Sequence, residues 1–381
     1  MRVLVVLSQP PLVEGGAPGR TAIGLLRGLQ EHGLEVRALA ARRHYALEGE
    51  PPADLPVEVV DAPPSQTGLS ARFRWPGADL AMGPLGARVR ELAGWADVVH
   101  LEETETAWCD EGTSNPSVVH VHYRAREDRR WGAPWQRDFR QLLEFDLAER
   151  AAIRRHHYFV ASSPVVAEGL RSAAPQAEVV LAPLSLDPGN YPQALFEGPP
   201  AAGLIGTGSW PPTAAAFRRL VDEVWPLVRE RSPDAKLLLA GRGLDAFAGL
   251  DGRSGLTVVG EVVSGAEFMR ELSLLLFPLD RGSGVKVKVL EAIASGLPVV
   301  TTPAGAEGIE PGGGVIVERD DEPLAEAAAT LLADPKERRA RGVQARELFN
   351  RLYTPEPATA PLVDLYERMA ASRRRAIRSR R

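Results

Sequence analysis

Residues Leu275 to Ile309 read LLFPLDRGSGVKVKVLEAIASGLPVVTTPAGAEGI, and this stretch decides the fold. Leu274 to Phe277 is a short apolar strand that Pro278 ends. Gly282, Ser283 and Gly284 permit a tight turn, after which Val285, Val289, Ile293 and Ala294 recur at helical spacing. Strand, glycine loop and helix in succession leave the first helical amides without intrahelical acceptors, which makes an anion site. Ser283 is expected to cap that helix. Lys286 and Lys288 fall in its first turns, where a cation opposes the helix dipole. A phosphate lying between dipole and ammonium removes the conflict.

Lysine usage sharpens the point. The chain has four lysines, Lys236, Lys286, Lys288 and Lys336, and two of them lie on this loop. Glu291, one turn on from Lys288, faces the same way and suits the two hydroxyls of a ribose. The plainer alternative is a surface ion pair beside an ordinary strand-to-helix turn.

With 381 residues the chain suffices for two domains with sizeable cores. Its net charge is −5, and removing the six arginines after Ser372 leaves −11 for the rest. An acidic body argues against nucleic acid as a partner. Cys109 is the only cysteine, which excludes an internal disulfide and a cysteine-rich zinc site. The opening MRVLVVLSQPP is too short an apolar run for a secretory signal, and no stretch approaches the ~18 apolar residues of a membrane span. The expected location is therefore cytoplasmic.

Strands and helices alternate along the chain. Val3 to Leu7 is a continuously apolar strand of the kind buried in a parallel sheet, followed by the Gly15-Gly16 loop and a helix from Thr21 to Gln30. The proline- and glycine-rich region from Glu48 to Gly86, with Arg72 to Trp75, yields no assignment. The strand Asp97 to Leu101 ends at Glu102 and Glu103, and Val118 to His122 runs into Tyr123 and Arg124. Ligands lie beyond the carboxyl ends of parallel strands, so His122 is a candidate for chemistry as well as for a structural hydrogen bond. His120 and His122 are read as alternating onto opposite faces. Arg124, Arg126, Arg129, Arg130, Trp131 and Trp135 form a basic and aromatic segment suited to an anionic or sugar-bearing acceptor, or else a solvated charge run.

Residues 1–187 form one predicted domain, 188–202 a proline- and glycine-rich linker, 203–350 a second domain, and 351–381 a final helix with an arginine tail. Two runs of βα units predict two facing, doubly wound α/β domains with a ligand cleft between them. A competing motif, Gly241, Gly243 and Ala246 with Glu261 beyond the next strand, has the outline of a dinucleotide fingerprint. Gly249 and Gly252 interrupt the helix such a fingerprint requires, so it reads as a glycine turn.

The run from Pro278 to Ile309, with GSG, KVLEA, ASGLPVVTT and GAEGI, closely resembles the donor site of retaining GT-B glycosyltransferases of family 4. GTGSWPPT from Gly206 to Thr213, PDAKLLLAGRG, and the N-terminal strand with its Gly15-Gly16 loop resemble the same family. The resemblance implies a GT-B fold and metal-independent transfer of a sugar from a nucleotide diphosphate sugar to an acceptor hydroxyl, with retention. It implies ribose binding by Glu291, and diphosphate and sugar contacts from Gly282, Ser283, Gly284, Val285 and Lys286, with Gly206 and Thr207 opposite. His122 and Lys288 are the implied catalytic residues, Gly16 lies at the reaction centre, and Arg124 and Trp131 are acceptor candidates. No cofactor and no metal are implied; a UDP-sugar is favoured as donor and a GDP-sugar is the second choice. A glycan, a lipid-linked molecule or a small molecule is the acceptor class, and the arginine tail suggests weak contact with the inner membrane face.

Three departures from the family pattern stand out. Ser283 replaces a glutamate common in the family, Gly206 to Trp210 lacks the usual arginine and lysine, and Pro183 to Asp187 reads PLSLD where PNGVD is common. Two other classes remain open on sequence alone: a nucleotide-sugar-binding protein without catalysis, and an NAD-dependent oxidoreductase using Gly241 to Ala246.

Overall fold

The computed structural model describes residues 1–43, 49–63, 78–124, 137–196 and 200–379. The chain forms two compact units. The first comprises 1–126, 130–187 and 354–381, and the second contains 188–353.

The first unit is built on a parallel sheet of seven strands: β1 Arg2–Leu7, β2 Glu35–Arg42, β3 Val57–Asp61, β4 Val98–Glu102, β5 Ser117–Val121, β6 Tyr158–Ala161 and β7 Glu178–Leu181. Their order is β3-β2-β1-β4-β5-β6-β7. Apolar residues on both faces of β1 explain its continuous hydrophobic run. Leu4 and Val6 pack with Val99, Leu101 and Val119 on one side, while Val3, Val5 and Leu7 pack with Ile23, Leu26 and Tyr366 on the other. The second side is closed by the helices Ala17–Glu31 and Pro355–Ser379, the latter contributing Leu362, Leu365 and Met369. That C-terminal helix runs through residue 379, so the arginine segment is helical up to that point.

The region that gave no assignment contains β3, the helix Ala78–Met82 and the start of the helix Pro84–Ala93. Arg72 to Trp75 lie outside the described residues. In PLSLD, Asp187 is buried against the Arg27 guanidinium, so this loop is anchored to the first helix.

The second unit is a parallel sheet of six strands: β8 Ala201–Ile205, β9 Lys236–Ala240, β10 Leu256–Gly260, β11 Leu274–Phe277, β12 Val299–Thr301 and β13 Val315–Val317. Their order is β10-β9-β8-β11-β12-β13. Residues 188–202, expected as a linker, belong to this unit: the Ala194 amide donates to the Ser295 carbonyl at 2.8 Å, and β8 already begins at Ala201. The long helix after β8 runs from Pro211 to Arg231 with a π-helical turn at Leu220–Val224.

Each sheet reverses its winding once, between β1 and β4 and between β8 and β11. Such switch points leave a crevice beyond the carboxyl ends of the two central strands. The candidate residues of each unit lie there.

Candidate active site

In the second unit, the loops after β8 and β11 converge. The Gly206 amide donates to the Ala240 carbonyl at 3.0 Å, and Gly241 has a φ of 125°. A Cβ at Gly241 would lie 1.8 Å from the Gly206 carbonyl oxygen, so the loops after β8 and β9 touch through backbone alone. Gly241 and Gly243 are followed by a 3-10 turn, Asp245–Leu250, in place of the crossover helix a dinucleotide fingerprint opens. Glu261 pairs with Arg242 at 2.9 Å. The glycines thus serve the contact between loops.

After β11, Gly282 and Gly284 have φ values of 146° and 72°. The helix that follows is Val287–Ala294, with Lys286 at its N-cap position. This corrects the expected capping by Ser283, which lies buried in the loop three residues earlier. The positive φ at Gly284 turns the chain out of helical geometry, so the helix starts later than side-chain periodicity suggests, and Val285 precedes it. The two lysines diverge. Lys286 Nζ bends back to the carbonyls of Ser283 at 2.9 Å and Gly284 at 2.6 Å, where it ties the loop together. Lys288 Nζ lies 4.6 Å above the Phe277 ring and donates to Thr213 Oγ1 at 3.4 Å. A Cβ at Gly206 would come within 2.9 Å of that ammonium, so Lys288 reaches the loop after β8 that carries Thr207.

Glu291 is 7% exposed and accepts a hydrogen bond from Tyr191 Oη at 3.1 Å. Burial on this scale is unlike a solvated surface ion pair. Arg346 donates to the Tyr191 carbonyl at 3.2 Å and to the Ala294 carbonyl, which fixes Tyr191 against the C-terminal end of the same helix. Thr301 Oγ1 donates to the Phe277 carbonyl at 2.6 Å and so pins the end of β11.

In the first unit, Gly16 is the N-cap residue of the helix Ala17–Glu31, and a Cβ there would meet Gln9 Oε1 at 3.2 Å. Glu102 ends β4, opposite His120 of β5. Its Oε2 accepts from His100 Nε2 at 2.6 Å and His120 Nδ1 at 3.1 Å, and its Oε1 accepts from His122 Nε2 at 2.7 Å. Tyr366 Oη, from the C-terminal helix, donates to His100 Nδ1 at 2.6 Å. These ring protons are assigned so that each bond has one donor.

His120 and His122 therefore meet one carboxylate, with ring centroids 4.6 Å apart. This corrects their expected opposition: side chains alternate along a strand, so residues two apart share a face. The nitrogen and oxygen atoms of His100, Glu102 and His120 lie within 4.8 Å of one another, close enough to surround a cation. Hydrogen bonds of 2.6 and 3.1 Å join the carboxylate to the His100 and His120 rings.

Burial opposes ionisation of Glu102, but the His120 and His122 charges and hydrogen bonds from His100 and His120 hold its carboxyl well below the usual range. Burial pulls the His120 ring down from 6.5 to about 4. It also works against a charged His122, yet the Glu102 carboxylate and its hydrogen bond outweigh it and raise that ring. The adjacent Glu103 goes the other way: burial pushes its carboxyl up to about 7, although Ser8 at the end of β1 donates to it. Its backbone has a φ of 68°, in the left-handed region.

Arg124, an acceptor candidate, is buried in an ion pair with Glu149. Trp131 lies outside the described residues.

Two family models match the chain: Glycosyl transferases group 1 over residues 201–334 and Glycosyl transferase 4-like domain over residues 16–185. The chain belongs to the group 1 glycosyltransferases. No curated protein matches it in sequence. The fold of this glycosyltransferase is that of GT-B enzymes of known structure. A Staphylococcus aureus TarM mutant in complex with fondaparinux, alpha-GlcNAc-glycerol and UDP is 9% identical, with a TM-score of 0.69 over 96% of this chain and 99% of that one. A further TarM structure is 13% identical, with a TM-score of 0.57 over 74% of this chain; the match spans 57% of that chain's length. Anabaena HepE in complex with UDP and glucose is 15% identical, with a TM-score of 0.64 over 96% and 99%. Among the described residues of the glycosyltransferase, no helix is long and apolar enough to cross a membrane.

Sequence reasoning about this glycosyltransferase missed Tyr191, Arg346, Thr213, His100, Tyr366 and Ser8 as supports of the candidate residues. For His100 a signal existed, since it precedes Glu102 by two residues and shares its face.

Proposed function

We propose that this glycosyltransferase transfers a sugar from a nucleotide diphosphate sugar to an acceptor hydroxyl with retention of anomeric configuration, and that it needs no divalent cation. The observation that carries this reading is the convergence at the β8/β11 switch point. Lys288, at the start of the helix that follows the Gly282 to Gly284 loop, carries its ammonium across to the loop of Gly206 and Thr207, and the same helix holds a buried Glu291. As the bond to the anomeric carbon breaks, negative charge grows on the diphosphate. The first amides of the helix Val287–Ala294 and the Lys288 ammonium stabilise that charge.

Glu291 takes the ribose hydroxyls, and Tyr191 holds its carboxylate for them. Lys286 shapes the loop and so acts on the donor indirectly. His122 serves the reacting sugar and Gly16 lines the reaction centre, as the family resemblance implies. A UDP-sugar is the favoured donor, supported by the UDP in the TarM and HepE complexes, with a GDP-sugar as the second choice. A glycan, a lipid-linked molecule or a small molecule is the acceptor.

The test is incubation with UDP-glucose, UDP-N-acetylglucosamine and GDP-mannose in EDTA, with the product's anomeric proton coupling read by NMR. Transfer with the donor's own configuration supports the reading. Inversion, or turnover that appears only when a divalent cation is restored, contradicts it.

A further inference from the structure

The buried network around Glu102 does more than fill the first unit's core, because both oxygens of one carboxylate are committed to imidazole N–H groups. Three histidines from two neighbouring strands share that carboxylate, and the hydroxyl of Tyr366, 266 residues along the chain from His100, closes the far end. Glu102 is 2% exposed, so solvent does not substitute for any partner. We propose that Glu102 is a positioning residue that keeps the proton of His122 on Nε2, leaving Nδ1 for the substrate, with His100 and Tyr366 holding Glu102 from behind.

The geometry gives this directionality. Glu102 Oε2, an ionised carboxylate, only accepts, so His100 Nε2 carries the proton given to it and His100 Nδ1 accepts from Tyr366 Oη. His120 Nδ1 takes the remaining approach to that same oxygen. Glu102 Oε1 is thereby left for His122 alone. The ring can neither rotate nor exchange tautomers without leaving a buried carboxylate oxygen unpaired. Among the described residues, the charged and titratable groups that face His122 are Glu102 and Glu103 at and just beyond the end of β4 and His120 on β5, with His100 and Tyr366 behind Glu102. The negative carboxylate also favours the charged ring, as its raised titration indicates.

This inference rests on the catalytic assignment of His122 but is tested apart from it. Long-range nitrogen–proton NMR on the wild-type protein reads both ring nitrogens of His122, assigned by their loss in His122→Gln. Above its titration midpoint the ring is expected to carry its proton on Nε2. In Glu102→Gln, which removes the charge and keeps one acceptor oxygen for His122 Nε2 while turning an NH2 group toward His100 and His120, the midpoint is expected to fall by about one unit or more. Glu102→Asp is expected to restore most of that fall. UDP release from UDP-glucose should drop about 100-fold in turnover with little change in KM for the donor. A wild-type ring protonated on Nδ1, or a Glu102→Gln midpoint within about half a unit of wild type, overturns the proposal. The tautomer is read without any variant and without turnover. Failure of the glycosyl-transfer reading would instead appear as absent UDP binding and turnover with the ring assignment unchanged.

Discussion

The two switch points solve different problems with different materials. Between β8 and β11 the protein is mainly backbone: glycines at 206 and 241 let the loops after β8 and β9 approach to distances that a side chain would prevent, positive φ at Gly282 and Gly284 turns the loop after β11, and one lysine reaches across. Between β1 and β4 it is mainly side chain: buried histidines, two neighbouring glutamates, a serine and a tyrosine hydrogen-bond with one another. Backbone amides suit a diphosphate, whose charge is large and diffuse, whereas a buried network of fixed protons suits the orientation of a single ring. A change in the second unit should therefore disturb anion stabilisation, and one in the first should disturb protonation.

The sharpest break in that contrast is Lys288→Ala. Loss of a cation that meets growing charge is expected to lower turnover about 100-fold while weakening donor binding much less. Steady-state kinetics beside a UDP titration check this, and unchanged turnover would remove Lys288 from the chemistry. Next comes Gly241→Ala, which places a methyl group against the Gly206 carbonyl at a φ of 125°. It is expected to lower Tm by roughly 5–10 °C in a thermal melt. A melt like that of wild type would show that the two loops do not need their close contact.

The smallest effect belongs to Glu103. Its carboxyl is raised from 4.5 to about 7 in the folded chain, so the folded state binds the proton more tightly than the unfolded one. Stability from this group is present below pH 4.5 and is lost as pH rises through 7. Glu103→Gln should therefore gain stability relative to wild type as pH increases across that window. Parallel melts at pH 4.5 and pH 7.5 measure the difference, and a constant gap would show that Glu103 does not titrate there.

What was legible in the sequence follows the same division. In the second unit the glycine turn and the helix after it were legible through local spacing, because GSG, the lysine pair and Glu291 lie within ten residues. The parallel sheets were likewise legible in runs such as Val3 to Leu7, whose two faces both face apolar neighbours. What the sequence hid was support from afar. Tyr191 reaches Glu291 across 100 residues, and Ser8 reaches Glu103 across 95. Local periodicity carries no trace of such pairs. The direction of Lys286 was also hidden, because two loop carbonyls compete for its ammonium and nothing in its spacing reveals them. Residues 188–202 misled through composition: among the described residues there, Pro188–Asn190 form a 3-10 turn, Tyr191 is buried and β8 begins at Ala201.

The most direct test of the central claim is calorimetric titration of the wild-type protein and of Glu291→Ala with UDP and with NAD. The account predicts UDP binding by the wild type, no heat from NAD, and a UDP dissociation constant raised about 10- to 100-fold in the variant, as expected for lost hydrogen bonds to a charged group. Equal UDP affinity in the two proteins, or binding of NAD in place of UDP, would contradict it.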